Sequence, residues 1–91
     1  MKKRVHVWIH GKVKNVFFRG SIKDKADKLG LKGFVRNSED NVEAVFEGER
    51  EKIEEILVYC REGPKYAQVE KLETKDETPD GEFKDFKVLH F

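Results

Sequence analysis

The sequence predicts an α+β two-layer sandwich, two amphipathic helices laid on one face of an antiparallel or mixed sheet. Three observations carry that expectation. Apolar periodicity switches between two and about 3.6 along the chain; the segments run strand, helix, strand, strand, helix, strand; and each strand is apolar mainly on one side. With 91 residues, 37% hydrophobic and 41% charged, the chain reads as a single domain over 1–91, one core wrapped in a charged surface.

Each element has its own justification. Residues 5–10 alternate, so Val5, Val7 and Ile9 face one way while His6, Trp8 and His10 face the other, which defines the first strand. From Phe18 the period becomes helical through Ile22, Ala26 and Leu29, and Gly30 supplies the stop. Residues 33–37 read as a second strand, 38–41 as a tight turn with Asn37 at its rim, and 42–47 as a third strand completing a hairpin. A second helix over 49–61 is marked by Ile53, Ile56, Leu57 and Cys60, early acidic residues, and Gly63-Pro64 after it. Val69 and Leu72 are out of phase for plain alternation, so the long fourth strand is expected to carry a bulge. Thr78-Pro79-Asp80-Gly81 forms a turn, and Phe86 and Val88 mark a short closing strand. This order is that of the ferredoxin-like fold, βαββαβ, with an extra strand at the C-terminus.

Composition excludes several classes of function. A formal net charge of +1 with no basic stripe gives no field to hold a polyanion, so no nucleic-acid partner is expected. The third strand, where RNA-recognition domains of this topology carry stacking aromatics, reads Val42-Glu43-Ala44-Val45-Phe46-Glu47 and is acidic. The basic start Met1-Lys2-Lys3-Arg4 precedes an apolar stretch broken by His6, His10 and Lys12, which is unlike a secretory signal. No run is long enough for a membrane span. Cys60 alone allows no internal disulfide and suggests a reducing compartment. A monomeric, cytoplasmic protein without a membrane partner is therefore expected.

The chemistry is concentrated in Gly11-Lys12-Val13-Lys14-Asn15-Val16-Phe17-Phe18-Arg19, a turn between strand and helix that ends on a cation. Helix-start amides lack intrahelical partners and the dipole is positive there, so such a junction suits a phosphate, with Arg19 as a planar, permanently charged fork. In this topology Asn37 is expected to converge on the same pocket, where its amide can hold a water in line for attack. No general base is near in sequence. A carboxylic-phosphoric anhydride needs none, because its leaving group is already a stable carboxylate.

At these residues the chain resembles the acylphosphatase family. Gly11, Val13, Val16, Phe18 and Arg19 match the family pattern Gly-x-Val-Gln-Gly-Val-x-Phe-Arg, and Gly33, Phe34, Val35 and Asn37 match Gly-aromatic-Val-x-Asn. Val42, Gly48, Gly63-Pro64 and Phe86 continue the likeness over the whole length. The resemblance implies hydrolysis of acyl phosphates to carboxylate and inorganic phosphate, the latter a product and inhibitor, with no metal or other cofactor. It implies that Arg19 and the loop amides of Lys14, Asn15, Val16, Phe17 and Phe18 bind the phosphoryl group. Asn37 would orient the attacking water, and the substrate itself would help to take its proton.

This chain departs from the family in two places. Lys14-Asn15 stands where Gln-Gly is usual; asparagine tolerates positive φ at some cost and adds a side chain, so the cradle is expected to be reshaped, with Lys14 pointing into solvent. The hairpin after Asn37 is also about one residue shorter, which would shift Asn37 slightly in a site where small misplacements cost rate. A non-catalytic phosphate- or small-ligand-binding module of the same fold is the alternative. The remaining reactive residues read as structural: Cys60 on the apolar helix stripe as a core thiol, and His6, His10 and His90 as solvated or satisfied rings too scattered for a metal.

Overall fold

The computed structural model describes residues 1–14 and 17–90; the expectations placed on Asn15 and Val16 lie outside these residues. The elements are β1 (Lys2–Lys12), α1 (Phe18–Lys28), β2 (Lys32–Asn37), β3 (Asn41–Glu49), α2 (Arg50–Glu62), β4 (Gln68–Glu77) and β5 (Phe86–Leu89). They form one sheet in the order β4-β1-β3-β2-β5. All pairings are antiparallel except β2 with β5, which is parallel. This is the expected ferredoxin-like arrangement with its added C-terminal strand.

Both helices cover one face of the sheet, α1 over β2 and β5 and α2 over β1 and β4. The core lies between the layers, because the alternation in β1 and the helical stripes all point there. Val5, Val7 and Ile9 meet Phe18, Ile22 and Ala26 of α1 and Ile53, Ile56 and Cys60 of α2, all fully buried. Phe86 of β5 stacks on Phe46 of β3 with ring centroids 5.4 Å apart, which fastens the edge strand to the centre.

The expected bulge is present. His10 faces Lys71 but Gly11 faces Val69, leaving Glu70 as the extra residue on β4. Here the β4 backbone closes on β1: a Cβ on Gly11, whose φ is +128°, would lie 2.1 Å from the Gln68 carbonyl oxygen. Gly33 obeys the same constraint, φ +138° with a Cβ position 1.9 Å from the Val45 oxygen. The glycines that open both family patterns thus sit where two strands press together.

The opposite sheet face is a lattice of charges. His6 spans Glu43 at 2.6 Å and Glu77 at 3.3 Å and stacks on Trp8, while Arg36 pairs with Glu43 at 2.7 Å. Arg4 gathers Glu77, Asp80 and Glu82, and their charge raises its pKa against the opposing effect of its partial burial. Glu47 accepts from the Gly81 amide at 2.9 Å. These contacts hold the connection out of β4, and Gly33 N donating to Asp85 O at 3.0 Å then sets β5 beside β2.

Candidate active site

The site begins at the start of α1. Phe17, the N-cap, adopts the left-handed conformation with φ +61°, and its side chain caps nothing. A non-glycine residue in that region is strained, a condition that recurs at functional sites. The first turn of α1 also carries no acidic residue to answer the helix dipole. Phe18 turns inward and anchors the turn in the core, whereas Phe17 is 76% exposed. The Phe17 ring lies against Gly20, where an added Cβ would meet its Cζ at 2.7 Å.

Arg19 and Asn37 come together. Both line an open cleft of about 650 Å³ whose walls include Val13, Phe17, Phe18 and His90. They also share an adjoining shallow depression with Leu89 and His90. Among the described residues no carboxylate pairs with Arg19. Asn37 closes β2, and its Oδ1 is buried without a hydrogen-bond partner among the described residues. Buried acceptors are nearly always satisfied by protein or water, so this oxygen is an acceptor in want of a donor. The hairpin after Asn37 is closed by Ser38 N donating to Asn41 O at 2.8 Å, and Asn37 lines the cleft.

One expectation needs correction. Lys14 does not point free into solvent: its Nζ donates to the Glu39 carbonyl oxygen, tying the loop after β1 to the tip of the β2–β3 hairpin. His90, expected as a solvated or satisfied ring, is indeed exposed, and it lies on the cleft with its Nδ1 3.5 Å from Arg19 Nη1. Val88 and Gly20 also line the cleft and were not read as site residues. The other histidines are satisfied, His10 by Glu73 at 2.7 Å, and among the described residues no cluster of three potential ligands could hold a metal. Cys60 is in the core, and burial pushes its thiol up to about 12.

Fold and cleft together define a small ferredoxin-like domain with a guanidinium at a helix start, unpaired with any carboxylate among the described residues. The acylphosphatase family pattern matches residues 5–88. An acylphosphatase from Pyrobaculum aerophilum is 51% identical over 88 residues, covering 94% of this chain and 93% of that protein. One from Syntrophus aciditrophicus is 45% identical and covers 99% and 95% of the two chains. The solved structure of an acylphosphatase from Coxiella burnetii superposes with a TM-score of 0.92 at 36% identity, covering 97% of this chain and 93% of its own. The chain belongs to the acylphosphatase family. Among the described residues no helix is long and apolar enough to cross a membrane.

Proposed function

We propose that the protein hydrolyses acyl phosphates to a carboxylate and inorganic phosphate, acting as a monomer on small cytoplasmic substrates. The observation that carries this reading is the shared cleft: a cation from α1 and a carboxamide from β2, contributed by separate segments, face one space. The phosphoryl group binds at the start of α1, on the amides of the loop over 14–18, with the Arg19 fork across two of its oxygens. The Asn37 amide holds the attacking water opposite the leaving carboxylate, and its unpartnered Oδ1 accepts one of that water's protons as a hydrogen bond. The leaving group departs as a stable anion and needs no general acid. The proton released on attack passes to a phosphoryl oxygen.

Turnover of benzoyl phosphate tests the reading, measured with and without chelator and with added inorganic phosphate. Hydrolysis that is indifferent to chelator and competitively inhibited by phosphate is expected. Phosphate binding without turnover would identify a binding module instead.

A further inference from the structure

We propose that His90 is a positioning residue for Arg19, its imidazole holding the guanidinium across the cleft before substrate arrives. The inference rests on the reading of Arg19 as the phosphoryl ligand. Arginine has donors only, so in the contact of Arg19 Nη1 with His90 Nδ1 at 3.5 Å the ring nitrogen accepts, and the ring proton belongs on Nε2.

A neutral acceptor suits this task better than a carboxylate would. An Asp or Glu pairs with the fork bidentately and cancels the charge that a dianion must find. The imidazole restrains a single nitrogen and leaves the charge and the remaining donors of Arg19 free. Among the described residues Arg19 has no other side-chain partner.

The fold supplies the ring from an independent direction. β5 runs parallel to β2 with Arg36 opposite Leu89, and the residues that follow, Asn37 and His90, line the same cleft. β5 is held in that register by the Phe86–Phe46 stack, by Gly33 N to Asp85 O at 3.0 Å, and by Lys23 Nζ donating to the Phe86 carbonyl at 3.3 Å. Strand pairing thus fixes the backbone up to Leu89, directly before His90, and the imidazole in turn limits a long, otherwise freely rotating side chain. What is gained is preorganisation: the entropy of ordering Arg19 is lost on folding and not on substrate binding.

The test is a double-mutant cycle combined with a measurement that needs no substrate. His90→Ala is expected to raise KM for benzoyl phosphate and the inhibition constant of inorganic phosphate by about three- to tenfold, the scale of one immobilised long side chain. The melting temperature should not move. His90→Gln, whose Oε1 also accepts, should return both constants to near wild type. With Arg19→Lys already present, His90→Ala should change little, since the two residues act as a unit. Independently, ¹⁵N relaxation of the Arg19 Nε–H group in ligand-free protein should show lower order in His90→Ala and recovery in His90→Gln. Equal order of Arg19 in wild type and His90→Ala, or the same loss from His90→Ala in both Arg19 backgrounds, overturns the proposal. If wild type neither binds phosphate nor turns over benzoyl phosphate while Arg19 order follows the expected pattern, the phosphoryl-ligand reading falls and the positioning role stands.

Discussion

Replacing Arg19 by alanine should remove activity while making the protein more stable. The loss follows from two charge-assisted hydrogen bonds to phosphoryl oxygens at about 1.5–3 kcal/mol each, or roughly 3–6 kcal/mol together. That corresponds to a fall in kcat/KM on the order of 10²- to 10⁴-fold. The gain follows from the position of the residue. With Phe17 as N-cap, Arg19 is the second residue of α1, a cation at the positive end of a helix with no acidic neighbour in its first turn. A misplaced charge there costs about 0.3–1 kcal/mol, so its removal should raise the melting temperature by roughly 1–8 °C for a domain of this size. Almost no structural contact is lost in exchange, only the long one to His90. The assay pairs benzoyl phosphate kinetics with thermal unfolding, each with and without inorganic phosphate. Wild type at a hundred times its phosphate dissociation constant should gain about 2.7 kcal/mol, and the variant almost nothing. A melting temperature that falls along with activity would refute the reasoning, because Arg19 would then be serving the fold.

Asn37→Ala should lower kcat on the order of a hundredfold, with KM and phosphate inhibition changed by less than about threefold, since it removes the water holder and not the anion ligand; equal losses in kcat and in phosphate affinity would contradict these roles. Because Asn37 Oδ1 is buried and unpartnered, the same variant should not be destabilised in urea unfolding. Gly11→Ala should cost about 3 kcal/mol or more by the same measurement, as its Cβ would sit 2.1 Å from the Gln68 oxygen at a positive φ; a change below about 0.5 kcal/mol would mean that the β1–β4 approach yields easily. Cys60 should resist thiol reagents at pH 8 until the protein unfolds, its thiol being pushed up to about 12 by burial. The raised value sets the sign of the pH effect: the stability linked to Cys60 is full below the ordinary 9.0 and is lost as pH rises from there to about 12, a decline that Cys60→Ala should lack.

The sequence disclosed most of the fold because the buried faces follow simple periods. The alternation of Val5, Val7 and Ile9 and the stripe Phe18, Ile22, Ala26 are in the core as expected. Even the bulge in β4 was signalled, by Val69 and Leu72 falling out of phase. Strand lengths were less legible. β1 runs over Lys2–Lys12, beyond the alternating residues, since its charged flanks pair with β3 and β4 through the backbone whatever their side chains are. In the site, Arg19 and Asn37 were marked by their patterns, but His90 was not. Its place depends on a parallel pairing between segments more than fifty positions apart, and parallel neighbours leave no local turn signal to betray their register. The bond from Lys14 to Glu39 was hidden for a similar reason, because it crosses between two loop tips.

The two helices of the chain make the functional reading a physical one. α2 starts conventionally, with Glu49 as an extended N-cap and Glu51 in the first turn to answer the dipole. α1 breaks the same rules: a left-handed aromatic N-cap without a capping bond, no acidic residue in the first turn, and there an arginine that no carboxylate among the described residues pairs. Each departure destabilises a helix start, and nothing in the packing of α1 requires them, since Phe18, Ile22 and Ala26 alone fill the core. The proposed phosphoryl site gives the open dipole and the cation a use. On the proposed reading, a bound phosphoryl group would answer the open dipole and the Arg19 charge at this start. The strain is therefore expected to show as a ligand-dependent rise in order confined to the start of α1, with no corresponding change at α2, when phosphate is titrated and amide hydrogen exchange is followed. Protection that rose equally at both helix starts would mean that phosphate stabilises the fold as a whole and that the irregular start of α1 has another cause.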